Sequence, residues 1–155
     1  MKISGVSDFK GRSILAGKME GEALVSHKGF NTYASFSTSM LTKSNVAICS
    51  DRSNEQLHGK ELTGKVLCIP KTIGSTSSGA VWERIVQMDI APKALLFSGK
   101  IDSLAAGGLI VADVWTDKRI ITIDQLGREF LEFVQDGDRI GIEPDGNVSI
   151  SRDIN

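Results

Sequence analysis

One stretch constrains this chain more than any other: GKVLCIPKTIGSTSSGAVWERI, residues 64–85. An apolar run of strand length closes at Pro70, which cannot donate a ladder hydrogen bond. Thr72 through Ala80 then hold two glycines, three serines and two threonines. A helix is predicted from about Ser77 to Met88, because Val81, Ile85 and Met88 recur at i, i+4 and i+7. Strand, hydroxyl-rich turn and helix in that order make an α/β unit. The turn has three readings: a flexible loop, an anion cradle, or a place where one hydroxyl does chemistry. The free N–H groups and dipole of a helix N-terminus favour an anion, and glycine lets a ligand approach the backbone closely. A plain cap by Ser77 or Ser78 accounts for the same residues equally well.

Around this unit the chain reads as short elements. SILAG (13–17), EALVS (22–26) and VAICS (46–50) read as strands, and GFNTYASFS (29–37) as a loop or irregular strand. Beyond the helix, Pro92 introduces a strand over Ala94 to Phe97. GGLIVADV (107–114) and RIITID (119–124) read as strands too, with Asp124 as the N-cap of a second helix carrying Leu126, Phe130, Leu131 and Val134. DRIGIEPDGNVSISR (138–152) reads as a hairpin turning at Asp-Gly. No linker, repeat or low-complexity tract divides residues 1–155, so a single domain is expected.

Charge and composition exclude several classes of function. Eighteen Lys and Arg against 19 Asp and Glu give a net charge of −1, which lacks the electrostatic footprint of a nucleic-acid binder. No apolar run reaches the ~18 residues that would span a bilayer. The polar opening MKISGVSDFKGR is unlike a secretory leader, so a cytoplasmic protein is expected. Cys49 and Cys68 sit in apolar runs 19 residues apart with no nearby His, so they read as buried hydrophobes rather than a metal site. Neither a Walker A loop, a GxGxxG turn nor a GxSxG elbow is present. His27 and His58 read as surface residues.

GKVLCIPKTIGSTSSGAVWERI, APKALLFSGKIDSLAAGGLIVADV and DGDRIGIEPDGNVSI together resemble the small swivelling domain of the aconitase X family, over about residues 10–152. The resemblance implies an α/β fold: a single β/β/α domain of the aconitase type, with a mixed sheet or barrel-like core and a few helices. It also implies the small subunit of a hydro-lyase (a dehydratase), active only with a large catalytic partner. That partner carries the iron or iron-sulfur cluster, and this chain alone holds no cofactor or metal. Ser75, after Gly74, is implied as the base. Gly74, Thr76, Ser77 and Ser78 are implied to bind a small anionic substrate through hydroxyls and N–H groups, with Asp51 a further candidate.

The family pattern departs here at Asp51-Arg52-Ser53-Asn54, where Asp51 matches a D-x-x-H-P segment and His-Pro does not. The segment WTDKRIITIDQLGREFLEF resembles the bacterial type, which points to cis-3-hydroxy-L-proline as substrate. Mevalonate 5-phosphate is the alternative, with Arg52, Lys71 and Lys100 as candidate cations. A non-catalytic anion-binding module is a further reading. An isomerase subunit with a GSSREH-type turn is disfavoured, since Ser77 stands where that turn has Arg.

Overall fold

The computed structural model describes residues 3–75 and 77–154. At its centre four strands run parallel: β3 (Met19–Val25), β5 (Val66–Ile69), β7 (Ala94–Phe97) and β8 (Ile121–Asp124). VLCI and ALLF are buried at every position, as strands covered on both faces must be. Antiparallel strands extend both edges: β2 (Arg12–Leu15) beside β8, and β9 (Arg139–Ile142), β10 (Asn147–Ile154) and β1 (Ile3–Lys10) beyond β3. The order is β1-β10-β9-β3-β5-β7-β8-β2. β3 changes partner midway, pairing Met19–Glu22 with β9 and Ala23–Val25 with β5. This mixed α/β architecture is the one expected.

Alternation along the parallel strands divides the core in two. Leu67, Ile69, Leu95 and Phe97 pack under α1 (Thr32–Leu41), α2 (Ser78–Gln87) and α3 (Ser103–Thr116). Val66, Cys68, Ala94 and Leu96 face α4 (Arg128–Phe133) and the inner side of the β9–β10 hairpin, through Phe130, Ile140, Ile142, Val148 and Ile150. The parallel strands are therefore joined by helices that all lie on one face.

Several local readings change. Residues 107–114 are helical, lying inside α3. Their β-branched run suggests a strand, but the helix shows apolar residues on its outer side as well, which hides its period. Residues 32–41 are also a helix, with small polar residues (Thr32, Ser35, Ser39) among its buried positions. VAICS makes a single antiparallel bridge, Ile48 to Glu61, and no strand. Asp124 does not cap α4, whose N-cap is Gly127. Its carboxylate instead accepts from Arg12 Nε (3.0 Å), Arg12 Nη2 (2.8 Å) and the amide of Ile101 (2.8 Å). Burial alone would raise the Asp124 carboxyl; these partners outweigh it and hold the group below its ordinary value.

Candidate active site

The carboxyl ends of parallel strands are where α/β sheets bind ligands, and here three helix N-termini gather at that end. β5 stops at Ile69, and Thr72–Ile73 (β6) pairs in parallel with Phe30–Asn31 (β4), the residues just before α1. This two-residue ribbon ties the start of α1 to the hydroxyl-rich turn. Gly74 follows with φ +114° and lies against the Asn31 carboxamide, a backbone conformation that L side chains rarely adopt.

The turn then builds a hydroxyl pair. Ser75 Oγ and Ser77 Oγ are 2.7 Å apart, both residues are exposed, and the Ser78 amide donates to the Ser75 carbonyl at 3.1 Å. Ser77 is the N-cap of α2, yet its side chain makes no capping bond, and the first turn of α2 carries no acidic residue. The other two helices are closed by their own caps: Asn31 Oδ1 accepts from the Ala34 amide (3.1 Å), and Asp102 Oδ2 from the Ala105 amide (3.0 Å). Of the three, the N-terminus of α2 is thus the one that the described flanking side chains leave open to an acceptor.

Between the three termini lies a cavity of about 50 Å³ walled by Thr32, Thr72, Gly74, Ser75, Ser78 and Asp102, with Trp82 among its apolar residues. Trp82 is fully buried, stacked on Phe30 (ring centroids 6.2 Å) and edge-on to Phe36 (5.9 Å), so the apolar part of the wall is rigid. The Thr72 hydroxyl donates to Asp102 Oδ1. Thr32 Oγ1 and Ser78 Oγ are buried and have no hydrogen-bond partner among the described residues. Among the described residues lining the cavity none carries a positive charge.

Of the residues singled out from sequence, the structure brings Gly74, Ser75 and Ser78 to this cavity. Ser77 reaches it through its bond to Ser75 and lines a neighbouring groove with Tyr33 and Arg84. Thr76 lies outside the described residues. Asp51 does not line the cavity: its Oδ1 accepts from the Ser53 amide (3.0 Å) and hydroxyl (2.6 Å) in a local turn. Lys71, Lys100 and Arg52 are likewise not on its wall.

His27 and His58 are exposed, and His27 Nε2 lies 3.1 Å from the Leu131 carbonyl. Cys49 and Cys68 are buried, and desolvation pushes both thiols up. No three His, Cys, Asp or Glu gather as a metal site among the described residues, and no helix there is long and apolar enough to cross a membrane. Sequence reasoning missed Thr32, Thr72 and Asp102. Asp102 before Ser103 is a helix-start signal that becomes visible once 103–116 is read as helical.

The chain as a whole is similar to known proteins. The profile of the aconitase X swivel domain matches residues 8–150. A phosphomevalonate dehydratase small subunit from Methanosarcina mazei is 30% identical over 132 residues, covering 85% of this chain and 82% of that one. The corresponding protein of Thermococcus onnurineus is 32% identical over 106 residues, 68% of this chain and 75% of its own. The crystal structure of Thermococcus kodakaraensis aconitase X in its holo form superposes with a TM-score of 0.77 at 27% identity, covering 93% of this chain and 98% of that one.

Proposed function

Since the chain belongs to the aconitase X swivel domain family, we propose that it is the small subunit of an aconitase-like dehydratase and supplies the base. The observation that carries this reading is the Ser75–Ser77 pair at the N-terminus of α2, which the Ser77 side chain leaves uncapped. A serine hydroxyl is a weak base near neutral pH, and works only where its oxyanion is stabilised. Ser77 can donate to Ser75 Oγ at 2.7 Å, and the N-terminal dipole of α2 favours negative charge there. Ser75 takes the substrate proton on Oγ, and the hydroxyls and N–H groups of the 74–78 turn hold the substrate's anionic group.

The described residues of this chain offer no set of three metal ligands. In this reading the iron centre belongs to a large partner subunit. The reading takes mevalonate 5-phosphate rather than cis-3-hydroxy-L-proline as the substrate, supported by the name phosphomevalonate dehydratase small subunit that the relatives aligning with most of this chain carry. Asp51, committed to its own turn, has no substrate contact in this proposal.

The test is to capture the large subunit from an anaerobic extract of the host and assay the complex for loss of each compound. Dehydration of mevalonate 5-phosphate, abolished by Ser75→Ala in a complex that still assembles, is the expected result. Loss of the hydroxyproline alone would restore the other substrate. Full activity in Ser75→Ala would remove the base from this chain and leave the anion-binding module, a reading that rests on the same open N-terminus of α2.

A further inference from the structure

Resting on the dehydratase reading, we propose that Thr32 is a further substrate-binding residue, whose hydroxyl joins that of Ser78 in gripping a carboxylate of the substrate, while any phosphate is held outside this cavity. Thr32 is the first residue of α1, far in sequence from the 74–78 turn, and it reaches the turn through the β4–β6 ribbon. It is only 1% exposed, and its Oγ1 has no partner among the described residues. A buried hydroxyl left without a partner is destabilising, so one that persists on a cavity wall points to a ligand. Ser78 Oγ is the second such oxygen on the same wall. Two hydroxyls that can both donate, beside a helix N-terminus with no side-chain cap, ask for an acceptor group with two oxygens.

Charge chooses which group. The charged side chain on the wall is Asp102, already accepting from Thr72 and from the Ala105 amide. Its repulsion acts on a dianion twice as strongly as on a monoanion, and no Lys or Arg lines the cavity to offset it. Phosphate sites ordinarily recruit such cations.

The experiment uses the complex with the large subunit and two ligands that share a carboxylate and differ in the phosphate: mevalonate and mevalonate 5-phosphate. Binding of each is measured by calorimetry for the unaltered complex, Thr32→Val and Thr32→Ser. Thr32→Val is expected to weaken both ligands by the same factor, on the order of tenfold for one hydrogen bond to a charged group. Thr32→Ser keeps the hydroxyl and is expected to restore both. Weakening of the phosphorylated ligand alone would make this a phosphate site and overturn the proposal. So would an unchanged Kd for both ligands, or a Thr32→Ser complex as impaired as Thr32→Val. Binding does not depend on turnover, so the two readings fail separately. Equal weakening in a complex that dehydrates nothing would sink the dehydratase reading alone, and dehydration indifferent to Thr32 would sink only this one.

Discussion

The helix layer of α1–α3 and the layer of α4 with the β9–β10 hairpin cover opposite faces of the same parallel strands, yet they treat polar groups in opposite ways. On the hairpin side, the buried Asp138 takes both Nε and Nη2 of Arg152 at 2.7 and 2.6 Å, and that guanidinium lies 4.8 Å from the Phe133 ring centre. On the helix side, Thr32 and Ser78 keep buried hydroxyls with no partner among the described residues, and Tyr33, Ile73 and Leu104 stand about half exposed near the cavity. Two aspartates at the carboxyl ends of neighbouring strands differ in the same way. Asp124, the last residue of β8, is fully buried and tied by three hydrogen bonds. Asp102, after β7, is exposed and bonded to one hydroxyl and one amide. One side is sealed by its own residues, and the other is left to be completed by something else.

Ser75→Ala breaks the open side chemically without touching the sealed one. The expected effect is a fall in kcat of about 10³-fold, equivalent to about 4 kcal/mol of transition-state stabilisation, with an unchanged melting temperature. Steady-state kinetics and a thermal scan of the same complex decide it; a melting point that falls with kcat would mean the serine is structural.

Gly108→Val attacks the same side through its scaffold. A side chain at Gly108 would lie 2.2 Å from the Gly79 carbonyl oxygen and 2.9 Å from its Cα, and both are backbone atoms that cannot rotate away. α2 and α3 must separate, at about 3 kcal/mol, and Ser78 moves with the first turn of α2. Urea unfolding reads the stability, and a loss under about 1 kcal/mol would show that the contact is looser than described.

Asp124→Asn tests the sealed aspartate and should cost about 2 kcal/mol: the carboxamide oxygen can still accept from the Ile101 amide, but the charge is lost and an NH2 group faces the Arg12 guanidinium. The pH dependence has a definite sign. The folded carboxyl lies below its ordinary value of 3.8, so its stabilising contribution is complete above about pH 4. It is lost as pH falls through the folded value. The stability gap between the parent chain and Asp124→Asn should therefore be widest near neutrality and close in acid; a gap that widens in acid would contradict the assignment.

Trp115→Ser is the smallest expected change. The side chain is 71% exposed on α3, and its replacement should shift unfolding of the isolated chain by no more than about 0.5 kcal/mol.

The sequence was most readable where local pattern and global fold agree. β5, β7, β8, the helix α2 and the Asp-Gly hairpin follow from apolar runs, prolines and turn residues. It was least readable around α1 and α3, for a physical reason tied to the site. α1 turns Thr32, Ser35 and Ser39 inward, so its buried face is not apolar. α3 places Gly108 against α2 and leaves Leu104, Ile110, Val111, Val114 and Trp115 exposed, so neither face announces itself by polarity. Of the candidate site, the 74–78 turn was legible because glycine and serine are concentrated there. Thr32 and Asp102 were not, because each comes from a helix start that only the tertiary fold brings beside the turn.

The pairing of β1 with β10 has a topological consequence. Ile3 stands opposite Ile154 in that antiparallel register, and directly opposed residues of such a ladder lie only about 5 Å apart. Entry and exit of the polypeptide therefore share one corner of the sheet. A tether attached at either end would leave from the same place, and a circular permutant joining the two ends by a short bridge would keep every strand where it is.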